Sequence, residues 1–112
     1  MFGWFRNKSP QPTGPDVSMD EWPFQDSENV AVFTTRHVIK GREPILAVFH
    51  EAEDGAWQFI SAAGASVADL MIVSLRSVFD IDPSIADLAD LPPGWEASRR
   101  SRGEPWRRQA SE

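Results

Sequence analysis

Apolar and polar positions change their period along the chain, from strand to helical spacing and back, and the changes mark out the elements. From Asn29 to Arg36 the run NVAVFTTR is rich in β-branched and aromatic residues without a breaker, which predicts a strand. Lys40-Gly41 predicts a turn. Ile45 to His50, ILAVFH, predicts a second strand, and Trp57 to Ser61, WQFIS, a third. Along the third, Trp57 and Phe59 alternate with Gln58 and Ile60, so one face is heavily aromatic. The acidic stretch Glu51-Ala52-Glu53-Asp54-Gly55 between these two strands ends in an Asp-Gly pair, which supplies positive φ in a hairpin connection.

Residues 62–69 read as a loop, and Leu70-Met71-Ile72-Val73 is an apolar run of strand length. Beyond it the spacing becomes helical. Ser74 is placed to cap, and Leu75, Val78 and Phe79 fall on one helical face. Asp82-Pro83 predicts an N-cap followed by proline at the first helical position, with Ile85, Leu88 and Ala89 turned inward. Leu91-Pro92-Pro93-Gly94 ends that helix. Trp95 to Arg99 is expected to be extended, with Trp95, Ala97 and Arg99 on one side. The elements add up to an α+β fold: a three- to four-stranded antiparallel sheet with two short helices on one face.

A chain of 112 residues supports one domain, because a core of this size buries only about 60–70% of the surface that the unfolded chain exposes. Residues 9–23, SPQPTGPDVSMDEWP, hold four prolines in a polar background and predict a linker. The expected organisation is a disordered arm over 1–23, a single α+β domain over 24–108 and a tail over 109–112. The apolar stretch Met1 to Phe5 is too short for a signal peptide or a membrane span, and the expected location is cytoplasmic.

Charge adds a division that the periodicity does not show. The formal net charge is −6, yet residues 16–95 carry fourteen carboxylates against four basic side chains, while residues 1–15 and 96–112 are each net positive. The acidic centre disfavours binding to phosphate backbones, so nucleic acid is an unlikely partner. The absence of cysteine removes disulfides, thiol catalysis and thiolate metal sites.

Candidate chemistry is sparse. His37 and His50 lie 13 positions apart, without the HxH or HExxH spacing that puts two imidazoles on one metal. Setting Gly55 at the sixth position of a calcium loop puts His50, Ala52, Asp54 and Ser61 at positions 1, 3, 5 and 12, so most ligands are wrong. No serine sits in a GxSxG elbow, and capping accounts for Asp80 and Asp82 better than acid–base work. No catalytic residue, metal or cofactor is expected. The C-terminal SRRSRGEPWRRQ is read as a strap that folds back, with ion pairs and a docked Trp106. Phe2, Trp4 and Phe5 are read as part of a mobile tail.

The order NVAVFTTR, PILAVFH, DGAWQF, IVSL, DPSI, LPPGWEA and PWRR resembles a family of small bacterial proteins of unknown function that is grouped with predicted immunity proteins of polymorphic toxin systems. The resemblance covers about residues 24–108. Its most specific pieces are Asp54 to Phe59, Leu91 to Trp95, and Pro105-Trp106. It implies an α+β fold and, by analogy, toxin neutralisation; it carries over no catalytic residue.

The expected function is therefore a non-catalytic protein-interaction domain of immunity type, with a toxin-like partner of basic surface. The expected contact residues are Glu51, Glu53, Asp54, Trp95 and Trp106. Two alternatives are a small ligand- or metal-binding regulatory domain that uses Trp57 and Phe59, and a homodimer through a strand edge.

Overall fold

A computed structural model describes residues 22–111, so most of the arm expected over 1–23, with Phe2, Trp4 and Phe5, lies outside the described residues. The described residues form six strands: β1 (Ala31–Thr35), β2 (Ala47–His50), β3 (Trp57–Ile60), β4 (Leu70–Ser74), β5 (Trp95–Ser98) and β6 (Arg107–Ala110). Helix α1 (Arg36–Ile39) follows β1, and α2 (Leu75–Ile81) follows β4 and leads into a 3-10 segment, Pro83–Leu88. The fold is α+β.

The expectation of three or four antiparallel strands is corrected to a six-stranded mixed sheet in the order β4-β1-β3-β2-β5-β6. β1 runs parallel to β3, with Phe33 opposite Gln58, and every other pairing is antiparallel. The physical reason lies in the connection. α1 and the segment after it carry the chain away from β1, β2 is laid down two places along, and the Asp-Gly hairpin returns β3 into the gap. The extended segment from Trp95 pairs with β2, and Arg107–Ala110 adds the sixth strand, carrying the sheet past the expected domain end at 108.

The local signals act as capping chemistry requires. Ser74 Oγ accepts the Ser77 amide at 3.1 Å at the start of α2. Asp82 Oδ1 accepts the Ser84 amide at 3.1 Å at the start of the 3-10 segment, with Pro83 in the first turn. The turn at Lys40-Gly41 closes α1, where a Cβ on Gly41 would stand 2.7 Å from the His37 carbonyl oxygen. That close approach admits only glycine.

Register divides the sheet into two faces. Val32, Val48, Trp57, Phe59 and Ala97 share the face that joins Leu75, Val78, Ile85, Leu88 and Leu91 in one core. Full burial of a side chain such as Phe59 or Leu88 stabilises the fold by about 1.5–3 kcal/mol. The opposite face carries the row Ile72, Phe33, Gln58, Phe49, Glu96 and Gln109 across all six strands.

Candidate functional site: acidic clefts at the end of the β2–β3 hairpin

The strongest constellation gathers where β2, β3 and β5 end or begin together. His50 closes β2 and stands opposite Trp57 of β3 and Trp95 of β5. Its ring stacks on Trp57 at 3.8 Å between centroids and 13° between planes. Its Nδ1 lies 2.7 Å from the Leu91 carbonyl oxygen, which only accepts, so Nδ1 carries the proton. Trp57 in turn donates from Nε1 to Asp26 Oδ2 at 2.8 Å, and Trp22 donates to the Asp26 carbonyl at 2.6 Å. Asp26 thus clamps two tryptophans beneath the site.

Two clefts open on either side of His50. The larger, about 560 Å³, takes in Asp26, Asp54, Trp57, Asp90, Leu91 and Pro92. The smaller, about 270 Å³, is walled by Phe49, Glu51, Ala52, Glu53, Gly94 and Ser111. Five carboxylates line the pair, and no lysine or arginine does. Clefts lined by one sign of charge focus the field and raise the local concentration of the opposite sign.

The hairpin presents these acids through its own turn. Gly55 takes φ 74°, the left-handed geometry that glycine adopts without strain. Asp54 Oδ1 accepts the Ala56 amide at 3.0 Å, and Glu51 Oε2 accepts from Gln58 Nε2 at 2.8 Å. Glu53 makes neither bond and is exposed. Asp90 is partly offset, because Arg108 donates to it at 2.8 Å and holds its carboxyl below the usual carboxylate range.

Of the contact residues expected from sequence, Glu51, Glu53 and Asp54 therefore lie along the clefts, and half-exposed Trp95 stands beside His50 as its cross-strand neighbour. Trp106 lies elsewhere. Its ring sits against the Arg99 guanidinium at 4.1 Å. Arg99 is itself buried, donating to Asp82 at 2.8 Å, to Ser84 Oγ at 3.0 Å and to the Ile45 carbonyl at 3.0 Å. Trp106 and Arg99 thus fasten the C-terminal strap to the core. Trp57 and Phe59, the aromatic pair of the ligand-binding alternative, are core residues at 3% and 0% exposure.

Sequence reasoning missed Asp26, His50 and Asp90 as members of the site. His50 had a usable signal in its position at a strand end directly before the acidic run. Asp26 and Asp90 had none, since only the fold brings those segments to the hairpin.

A second polar cluster lies near α1, where His37 Nε2 stands 3.1 Å from Asp69 Oδ2 and Arg36 donates to Asp69 Oδ1 at 2.6 Å. These bonds, that of Arg36 foremost, lower the Asp69 pKa. Among the described residues no group of three or more His, Cys, Asp or Glu side chains is placed to hold a metal ion. No described helix is long and apolar enough to cross a membrane. Comparison with protein-family models, curated proteins and solved structures returns no match.

Proposed function

We propose that the chain is a non-catalytic, cytoplasmic protein-interaction domain of immunity type, whose paired acidic clefts receive a basic segment of a partner protein. The observation that carries the reading is the lining of the clefts, with five carboxylates and no lysine or arginine around His50. The resemblance of Asp54 to Phe59 and Leu91 to Trp95 to immunity-type sequences points to a toxin-like partner, and the charge of the clefts says which side of it would dock.

The chemistry follows from geometry. A lysine or arginine side chain that reaches Asp54 or Glu51 meets a carboxylate already held, by the Ala56 amide in the one case and by Gln58 in the other, so little ordering cost is added on binding. Trp95, 37% exposed beside His50, offers an apolar wall for the stem of such a side chain.

Capture of the product of a neighbouring gene tests the reading. Charge reversal at Glu51, Glu53 and Asp54 together is expected to weaken capture by tenfold or more, which corresponds to about 1.4 kcal/mol. Capture unchanged by the three reversals rejects the clefts as the contact.

A further inference from the structure

The two outer strands of the sheet are finished in opposite ways. β6 is Arg107-Arg108-Gln109-Ala110, exposed throughout, and its charges blunt further pairing. β4 is Leu70-Met71-Ile72-Val73-Ser74, without a charge, a proline or a glycine. All five of its residues pair in unbroken register with β1, so no bulge twists the strand away. Among the described residues the outer side of β4 is met by the chain's own backbone at its start, where the Leu70 amide donates to the Val67 carbonyl oxygen, and no bond of that kind is found at Ile72.

The exposed apolar side chains collect at the same margin. Ile72 is 65% exposed, Leu70 39%, and Phe33, which stands opposite Ile72, 37%. An uncharged, straight strand edge with apolar residues beside it is a template for another strand.

We propose that this edge pairs with its own copy: β4 joins β4 of a second chain antiparallel about a two-fold axis through Ile72, continuing one sheet across a dimer. The symmetry sets Leu70 opposite Ser74, Met71 opposite Val73 and Ile72 opposite its own counterpart. The Phe33 and Ile72 side chains of both copies then form a continuous apolar stripe.

Charge favours a second copy as the occupant. The chain is net negative, and like copies repel wherever their carboxylates meet. At one end of β4 Arg36 neutralises Asp69 at 2.6 Å, and at the other Arg76 meets both Asp80 at 2.8 Å and Glu28 at 3.2 Å, which leaves that end with one negative charge. The antiparallel two-fold sets the net-negative Ser74 end of each β4 against the neutral Leu70 end of its copy, so like charges do not face each other. A five-residue edge buries less than a standard interface, which places the dimer in the weak, concentration-dependent class.

Sedimentation of the full chain from about 10 µM to about 1 mM is expected to show a rise from the 12.5 kDa monomer toward twice that mass. Ile72→Lys is expected to abolish the rise while leaving the thermal melt of the dilute protein unchanged, and Arg107→Ser to leave the rise intact. Because the chain has no cysteine, Ile72→Cys is expected to yield a self-crosslinked dimer on oxidation, and Ser74→Cys, whose counterpart is Leu70, is not. Three results would overturn the proposal: a monomer throughout the range, self-association untouched by Ile72→Lys, or crosslinking through Ser74→Cys in preference to Ile72→Cys. A monomer whose β4 amides nevertheless resist exchange would assign the edge to another segment of the same chain and equally reject the dimer.

Discussion

At the β6 margin the sheet is closed by many small fastenings, whereas among the described residues no other strand pairs with the outer side of β4. Arg99 ties β5 to Asp82 and Ser84 of the 3-10 segment, Trp106 covers the guanidinium, and Arg108 reaches Asp90 and the Asp87 carbonyl. The acidic clefts sit on this fastened side, bordered by Asp90, Leu91, Gly94 and Ser111. The difference teaches that the two margins solve separate problems. One spends its charged and aromatic residues on holding the cleft walls, and the other ends the sheet in an uncharged apolar strand.

The largest test of that division is Arg99→Ala. It leaves Asp82 buried at 5% exposure without its cation and strips three further contacts, so a loss of about 3–5 kcal/mol is expected. For a domain of this size that lowers the melting temperature by about 15 °C or more. A melt displaced by only a few degrees would mean that the network does not hold the margin.

Next in size is Trp106→Ala, expected to cost about 1–3 kcal/mol through lost burial and the lost contact with Arg99. Partner capture by the still-folded variant should persist. If capture fails while the melt stays put, Trp106 belongs to the contact surface and the separation of strap from cleft collapses.

Acid provides a probe of both margins together. Asp69 near β4 and Asp90 near β6 both have pKa values lowered in the folded state, by Arg36 first in the one and by Arg108 first in the other. Each therefore adds stability that is fully present above the ordinary carboxylate value near 3.8 and is lost as pH falls through the folded pKa. Urea midpoints recorded from about pH 5 to about pH 2.5 should fall less steeply for Asp69→Asn and for Asp90→Asn than for the parent chain. An unchanged slope in either variant would remove that ion pair from the account.

The smallest effect is expected at the bare edge itself. Ile72→Lys should shift the stability of the dilute protein by no more than about 0.5 kcal/mol, because the side chain is 65% exposed. A larger loss in denaturant melts would show that β4 is already covered at low concentration.

How far the sequence reached differs from element to element. Caps and turns were legible because their chemistry is local: Ser74, Asp82-Pro83, Asp54-Gly55 and Leu91 to Gly94 each act within a few residues. The strap was legible from Trp106 set among arginines. Strand neighbours were not, since alternation tells which residues share a face and says nothing about which strand lies beside it. The parallel β1–β3 pair is set by a crossover through α1, a single turn of four residues that is too short to show a helical period. β6 is hidden for another reason. Arg107, Arg108 and Gln109 have no apolar face, and their strand forms through backbone pairing with β5, the Gln109–Glu96 bond at 3.0 Å and the Arg108 anchor. For the site, the contiguous acids Glu51, Glu53 and Asp54 were legible, and the remote Asp26 and Asp90 were not.

The most direct measurement is calorimetric binding of a short lysine-rich peptide to the full chain at about 0.05 M and about 0.5 M salt, repeated with Ile72→Lys. The predicted result is binding at low salt that falls tenfold or more at high salt and is the same for parent and variant, since the clefts and the β4 edge are separate surfaces. Absence of binding at low salt, or binding indifferent to salt, would contradict the acidic clefts as the site of contact.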